Sequence, residues 1–158
     1  MRVLGIDPGS RSTGFGIVNY RSNKINYVTS GHIKAQGNNL SQRLKEIFEG
    51  ISAVILNYKP DCVAIEQVFV HKNVSSALKL AHARGAAMVA VANYNLEIAE
   101  YTPRYIKKSV VGYGGAEKEQ VQQMVMMILG IENKPQEDAA DALACAICHS
   151  HQQVGVVQ

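Results

Sequence analysis

The spacing of apolar residues along this chain first becomes helical near residue 40, and this change limits the folds that the chain can adopt. Before it, three apolar segments are joined by short polar links: Arg2–Asp7, Thr13–Tyr20 and Ile25–Ile33. Short links between apolar segments of this length predict an antiparallel meander of three strands. After residue 40, segments with helical periodicity are separated by short apolar runs. We therefore expect an α/β fold.

Helices and two further strands are predicted for the rest of the chain. The strands are Cys62–Glu66 and Glu97–Tyr101. Five helices are predicted: one that begins at Leu40 and ends before Lys59, one over Val74–Asn93, one that begins at Pro103, one that follows the loop Gly112–Gly115, and one over Asp138–His149. Asn73 and Thr102 suit helix N-caps, and Gly130 suits a helix C-terminus. Together these segments predict a mixed five-stranded sheet flanked by helices, folded as a single domain over residues 1–158.

Composition narrows the class of protein. Apolar residues make up 47% of the chain and charged residues 18%, which is enough for a sizeable core. The net charge of +3 permits nucleic-acid binding without requiring it. No stretch approaches the ~18 consecutive apolar residues of a membrane helix, and the first residues do not resemble a signal peptide. With three cysteines, an odd number, and no export signal, we expect reduced thiols in a cytoplasmic protein that has no membrane segment.

The segment Cys145-Ala-Ile-Cys148-His149 matches the spacing at which haem is attached to exported proteins. Because no export signal accompanies it, and because both cysteines continue the inner face of the last helix, we expect buried thiols there.

Two acidic residues close apolar strands. Asp7 ends the first strand and Glu66 ends the fourth. A carboxylate at the end of a buried strand is costly unless it is solvated, paired or bound to a metal ion. Since strand ends border the ligand crevice of open α/β sheets, both acids could point into one cleft. Taken singly, either acid is better explained by a turn cap or by solvent exposure.

A second pair of acids lies on the last helix. The spacing of Asp138 and Asp141 places both on one helical face, with Cβ atoms roughly 5–6 Å apart. Asp138 is also explained by the preference of acids for a helix N-terminus, an explanation that suits Asp141 less well. A cation between the two carboxylates would account for the pair.

Four carboxylate ligands favour Mg²⁺ or Mn²⁺ over zinc. Two such ions roughly 4 Å apart can activate water and stabilise the leaving oxygen of a phosphodiester. The chain has no GxxxxGK[ST] loop, so a P-loop nucleotidase is not expected. The four acids therefore indicate metal-dependent phosphodiester hydrolysis.

Five segments resemble the bacterial RuvC family, the crossover-junction (Holliday-junction) endodeoxyribonucleases. They are LGIDPGSRSTGFGIV at 4–18, AIEQVF at 64–69, SALKLAHARG at 76–85, VVGYGGAEKEQV at 110–121 and EDAADALA at 137–144. The resemblance covers nearly the whole chain, and the segments occur in the family's order.

The resemblance implies a ribonuclease-H-like fold in which Asp7, Glu66, Asp138 and Asp141 hold two Mg²⁺ ions, with Mn²⁺ as a possible substitute. It also implies a homodimer that nicks two strands of a four-way DNA junction symmetrically in recombination and repair. The implied partners are the branch-migration proteins RuvA and RuvB. The helix Val74–Asn93 has two apolar sides, and we interpret it as the dimer contact.

The resemblance further implies residues that bind DNA. Phe69 would belong to a loop that reaches the junction, where an exposed aromatic ring can stack on an unpaired base. Lys107 and Lys118 would lie near the scissile phosphate, either in the chemistry or in positioning the DNA. The basic residues that could widen this surface are Lys72, Lys79, Arg84, Arg104 and Lys108. For each, a solvated helix face is the alternative.

Two other functions remain open from the sequence. One is a YqgF-like RNA-processing nuclease of the same fold, although AIEQVF and DAADALA favour the junction endonuclease. The other is a catalytically silent protein that binds junctions without cutting them.

Overall fold

Five strands form one mixed sheet in a computed structural model that describes residues 1–70 and 73–153. The strands are β1 (Arg2–Asp7), β2 (Ser12–Arg21), β3 (Lys24–Lys34), β4 (Cys62–Glu66) and β5 (Ile98–Tyr101). Their order across the sheet is β3-β2-β1-β4-β5. The first three strands pair antiparallel, as the short links predict, whereas β4 lies parallel to both β1 and β5. The predicted mixed five-stranded sheet is confirmed.

Five helices surround the sheet in the described part of the chain. They are α1 (Leu40–Tyr58), α2 (Val74–Asn93), α3 (Pro103–Val111), α4 (Lys118–Leu129) and α5 (Glu137–Gln152). The caps follow the sequence: the side chains of Asn73 and Thr102 accept backbone N–H groups, and Gly130 adopts the left-handed conformation, with φ of 62°. No helix among the described residues is long and apolar enough to cross a membrane.

The last helix is longer than predicted at both ends. The sequence predicts Asp138–His149, whereas α5 runs from Glu137 to Gln152. Its start is set by the Gln136 side chain, which accepts the N–H of Ala139 and acts as a cap that the residue type does not signal. Strand β5 is one residue shorter than predicted: it begins at Ile98, whereas the sequence predicts a start at Glu97. The tail 154–158 lies outside the described residues.

The sheet separates two apolar cores. One face packs on α1 and α2, and the other face packs on α3, α4 and α5. Because side chains alternate along a strand, Leu4 and Ile6 of β1 enter the core with α1 and α2. The intervening residues of β1 face α5. This alternation determines which way an acid at the strand end can point.

Helix α5 lies very close to the sheet because glycines stand beneath it. A Cβ atom built on Gly5 would lie 1.9 Å from the carbonyl oxygen of Ala142, and one on Gly16 would lie 2.7 Å from the Leu143 side chain. Only a residue without a Cβ atom permits such an approach. The contact fixes the distance of α5 from the sheet and the position of the helix along β1 and β2.

We expect Gly5→Ala to destabilise the protein by about 3 kcal/mol or more, the upper end of what overpacking costs. The added methyl group would meet backbone of α5, which cannot move aside as a flexible side chain can. The free energy of unfolding in urea measures the effect. Gly115→Ala is the matched control, because a Cβ there comes no closer than 4.0 Å to Tyr113; it should change stability by less than about 0.5 kcal/mol. Equal stabilities of the two variants would contradict the tight contact.

Candidate active site

Asp7 and Glu66 end neighbouring parallel strands. Ile6 of β1 is paired with Ile65 of β4, so the acids that follow them stand side by side at one edge of the sheet. Both occupy the strand positions that face α5, two residues after Gly5 and Ala64 respectively. The two strand ends therefore present their carboxyl groups beneath the same helix.

Asp138 stands against the strand beside Asp7. Gly14 is the β2 partner of Asp7, and a Cβ atom on Gly14 would lie 2.9 Å from the Cβ of Asp138. The Asp138 carboxylate accepts hydrogen bonds from Ser12 Oγ at 2.7 Å and from Gln136 Nε2 at 3.0 Å. The first turn of α5 thus places the carboxylate of Asp138 next to the end of β1.

Asp141 lies one helical turn further on and is paired with a lysine. Lys118 Nζ lies 3.2 Å from Asp141 Oδ2 and also contacts the carboxylate of Glu137. Burial opposes the charged form of Lys118, but the bonds to Glu137 and Asp141 outweigh it and raise the Lys118 pKa. Burial of Asp141 likewise outweighs the nearby ammonium group, so the pKa of Asp141 is raised.

The electrostatics show that the four acids form one cluster. Burial raises the pKa of Asp7 from 3.8 to about 8, with further contributions from Asp141, Glu66 and Asp138. Burial also raises the pKa of Glu66, assisted by Asp141 and opposed by Lys107 and Lys118. Such mutual repulsion is typical of sites that bind cations or move protons.

The carboxylate oxygens of these acids suit a hard divalent cation, but in this structure the acids are not arranged as a metal-binding group. Among the described residues, no three His, Cys, Asp or Glu side chains form a group ready to hold a metal ion. The reason is local: Asp138 is bonded to Ser12, and Asp141 is bonded to Lys118. A cation would have to draw these two carboxylates away from their present partners.

Two small pockets flank Glu66. One, of about 220 Å³, is lined by Lys107, Lys118 and Asp141 as well as Glu66. The other, of about 200 Å³, contains Asp7 and Phe69, and the Phe69 side chain is 49% exposed. Both predicted lysines and the predicted aromatic residue therefore lie beside the acid cluster.

The remaining predicted basic residues differ in their surroundings. Arg84 is 17% exposed and donates hydrogen bonds to the Glu66 carbonyl oxygen and to Glu100, which is a role within the fold that the sequence does not reveal. Arg104 and Lys108 are exposed on α3. Lys79 lines a larger cleft beside Asp138. Lys72 lies outside the described residues. Contact of these residues with DNA stays a prediction.

Sequence reasoning missed several residues beside Asp138. Ser12, which bonds its carboxylate, and three further basic residues, Arg11, Lys34 and Arg43, line the same larger cleft. Arg11 and Ser12 stand within the family-like segment, but nothing in the linear sequence links them to Asp138, which is more than a hundred residues away.

The Cys-x-x-Cys-His segment lies inside α5. Cys145 and Cys148 are free and buried, and burial raises the pKa of each thiol. His149 Nδ1 is 2.7 Å from the hydroxyl oxygen of Tyr101, and burial lowers the His149 pKa. The thiols therefore pack as small apolar groups, as expected.

This sheet order, with acids at the ends of two central strands and on the helix across them, defines the ribonuclease-H-like class. The model of the family "Crossover junction endodeoxyribonuclease RuvC" matches residues 3–149. The chain therefore belongs to the RuvC family, as the resemblance implied.

Curated relatives and solved structures agree with the family. The chain is 54% identical over 156 residues to RuvC of Tolumonas auensis, covering 99% of this chain and 90% of the relative. It is 55% identical to RuvC of Pseudoalteromonas atlantica, with the same coverage. RuvC of Thermus thermophilus, solved in complex with a Holliday junction substrate, is 31% identical with a TM-score of 0.90, covering 98% of this chain and 96% of that one.

In the metal-free protein, Asp7→Asn should raise the melting temperature at pH 8–9 and have little effect near pH 4. Because the folded pKa of Asp7 is about 8, well above its ordinary 3.8, the folded state retains a proton that the unfolded chain releases. The stability so contributed is present at low pH and is lost as the pH rises through the folded value. Asparagine cannot ionise and avoids that loss.

Calorimetry in EDTA between pH 4 and pH 9 measures the difference between variant and wild type. The control is Glu132→Gln, since Glu132 is exposed and is not among the groups whose charge acts on Asp7; this variant should match the wild type across the same range. A difference for Asp7→Asn that stays constant with pH would disprove the raised pKa of Asp7.

Proposed function

We propose that this protein is a Mg²⁺-dependent endonuclease that resolves four-way (Holliday) DNA junctions in recombination and repair by two symmetric phosphodiester hydrolyses. The observation that carries the proposal is the cluster of Asp7, Glu66, Asp138 and Asp141, in which burial first and the neighbouring carboxylates second raise the pKa of Asp7 to about 8. Carboxylate oxygens are the donors that Mg²⁺ prefers, and a cation would relieve their repulsion. Membership of the RuvC family supports DNA junctions as the substrate.

The four carboxylates would hold two Mg²⁺ ions, with Mn²⁺ as a substitute. When bound, Mg²⁺ supplies an activated water and neutralises charge that develops on the scissile phosphodiester. Each carboxylate would bind and orient a cation, and the low-dielectric walls of the core would strengthen the attraction between carboxylate and cation. We infer that Asp138 and Asp141 leave Ser12 and Lys118 when they become ligands.

Two lysines would act on the phosphate. Lys118 is bound to Glu137 and Asp141, and once Asp141 turns to a cation, its ammonium group can donate to a non-bridging phosphate oxygen. Lys107 shares the pocket beside Glu66 and can hold the neighbouring backbone phosphate. Phe69 lies on the other side of Glu66, where its exposed ring can stack on a base that is unpaired at the junction.

A homodimer fits this substrate, because a junction of approximately two-fold symmetry matches an isologous pair of active sites. Helix α2 exposes Val74 and Leu78 next to Val70, along an apolar groove of about 280 Å³. The buried face of α2, which shares the core with α1, consists mainly of alanines. We propose the exposed face of α2 as the dimer contact. The branch-migration proteins RuvA and RuvB as partners, and a cytoplasmic location, remain predictions.

Asp7→Asn should retain junction binding and lose cleavage by at least about a hundredfold, since loss of even an outer-shell partner of a metal costs up to that factor. The amide is a poor ligand, while the phosphate contacts elsewhere are unchanged. A gel assay of a mobile four-way junction, with Mg²⁺ and then with Mn²⁺, measures paired symmetric nicks. Asp61→Asn, at the opposite end of β4, is the control and should cut normally.

The same assay separates the alternative functions. Near wild-type cutting by Asp7→Asn would reject the roles given to the carboxylates. A wild-type protein that binds junctions but never cuts them would be a silent binding protein. Cleavage of RNA precursors in preference to junctions would indicate the RNA-processing activity.

Leu78→Glu should convert the dimer to a monomer, because it places a charge on an apolar contact. Leu78 is 56% exposed, so the substitution leaves the fold of the protomer intact. Analytical ultracentrifugation gives the molar mass. Met127→Glu on α4, where the side chain is 74% exposed, is the control and should leave the mass unchanged. A dimeric Leu78→Glu protein would place the contact elsewhere.

A further inference from the structure

Helix α3 carries Lys107, one of the two lysines beside Glu66. Lys107 lines the pocket that contains Glu66 and Asp141, together with Pro103 and Ile106 of the same helix. Their spacing of three and four residues places these three side chains on one face of α3. The helix has only nine residues, fewer than the ~12–15 that an isolated helix needs in water. Contacts with other elements must therefore set the position of α3 and of its lysine.

Tyr101 connects the end of the sheet to α3 and to α5. It ends β5, where it is the register partner of Glu66 on β4. Its ring stacks on Tyr105 of α3, with centroids 5.7 Å apart and an interplanar angle of 11°. Its hydroxyl oxygen lies 2.7 Å from His149 Nδ1 on α5. Burial raises the pKa of Tyr101 to about 12 and lowers that of His149, so at neutral pH the phenol donates to a neutral imidazole ring.

A second histidine of α5 contacts the other end of α3. His151 Nδ1 lies 3.0 Å from Ser109 Oγ and 3.1 Å from the Ser109 carbonyl oxygen. Ser109 stands in the last turn of α3, where carbonyl groups lack a partner within the helix. An N–H group on Nδ1 of His151 donates to that carbonyl oxygen. Helix α5 therefore holds α3 near its start, through Tyr101, and near its end, through Ser109.

These contacts lie on the side of α3 that is opposite Lys107. Tyr105 and Ser109 are four residues apart and share one face of the helix. Lys107 is two residues from each, so with 3.6 residues per turn it projects from the opposite face. A rotation of α3 about its axis, or a shift along it, would therefore move Lys107 out of the pocket beside Glu66.

We propose that Tyr101 and His149 are positioning residues, which hold α3 so that Lys107 faces the phosphate bound beside Glu66. They act through the lysine and do not themselves touch the DNA. The proposal rests on the proposed function, which assigns Lys107 to that phosphate.

The test removes the hydrogen bond with as little other change as the chain permits. Tyr101→Phe deletes the hydroxyl group and keeps the ring that stacks on Tyr105. His149→Leu deletes the acceptor, whereas His149→Asn retains a side-chain oxygen that can accept the hydroxyl. Cleavage of a four-way junction is measured in a single turnover with Mg²⁺ at saturating protein, and junction binding is measured separately in EDTA.

Two control variants separate positioning from a loss of stability. Ile147→Val removes one methyl group from a fully buried side chain of α5 and costs stability comparable to the loss of a hydrogen bond, as melting temperatures will show. Tyr20→Phe removes a hydroxyl group that donates to Asn23 at the β2–β3 turn. Both controls should cut at the wild-type rate.

We expect Tyr101→Phe and His149→Leu to slow cleavage about tenfold, within the roughly hundredfold that a misplacement of about 1 Å can cost. Junction affinity should stay near the wild-type value, because the other phosphate contacts remain. His149→Asn should recover part of the rate. In a Lys107→Ala background, Tyr101→Phe should cause no further loss, since residues that act through one group are not additive.

Other outcomes would overturn the proposal. Wild-type cutting by Tyr101→Phe rejects it and leaves the proposed function standing. A tenfold loss that persists in the Lys107→Ala background rejects it as well, because the hydrogen bond would then act on another part of the site. If Lys107→Ala alone cuts normally, the role of the lysine fails and the positioning role fails with it, while the nuclease remains. Wild-type protein that never cuts junctions rejects the proposed function and the positioning role together.

Discussion

The close contact between α5 and the sheet is the constraint on which the rest of the site depends. Gly5, Gly14 and Gly16 lie beneath the helix, and none could carry a Cβ atom without displacing it. At this short distance, the first turns of α5 bring Asp138 and Asp141 to the strand ends that carry the other two acids. A helix held further away, by side chains of ordinary size, would move Asp138 and Asp141 away from the other two acids.

Holding the four carboxylates close together costs electrostatic free energy, and two features of the protein reduce this cost. A protonated Asp7 lowers the negative charge of the cluster, as its pKa of about 8 indicates. Lys118 supplies a positive charge to Asp141. A divalent cation can replace both the proton on Asp7 and the charge of Lys118, because the proton can leave and the exposed lysine side chain can turn away. The buried apolar layers on both faces of the sheet hold the acids together despite their repulsion.

Much of this arrangement could be predicted from the sequence, and the failures have a common physical origin. Helix α2 was predicted residue for residue because Asn73 caps it and its apolar pattern is continuous. The acids were found because strand ends and helical spacing are local signals. The larger cleft beside Asp138 was missed because four segments, distant in sequence, contribute one cation each. The role of Arg84 within the fold was missed for the same reason, since Glu100 stands on another element.

The charge pattern around Asp7 also restricts how a substrate could lie. Positive charge lines two different pockets that share an acid with the cluster: Lys107 and Lys118 line one with Glu66 and Asp141, and Arg11, Lys34, Arg43 and Lys79 line one with Asp138. The acids repel a bare phosphate, so a DNA strand would be attracted to these two basic pockets, the flanks of the site, and repelled by the acids at its centre. Two bound divalent cations would balance the charge of the four carboxylates and remove the repulsion at the centre alone. Binding and cutting would then be separable steps, with the flanks responsible for the first and the metal-loaded carboxylates for the second.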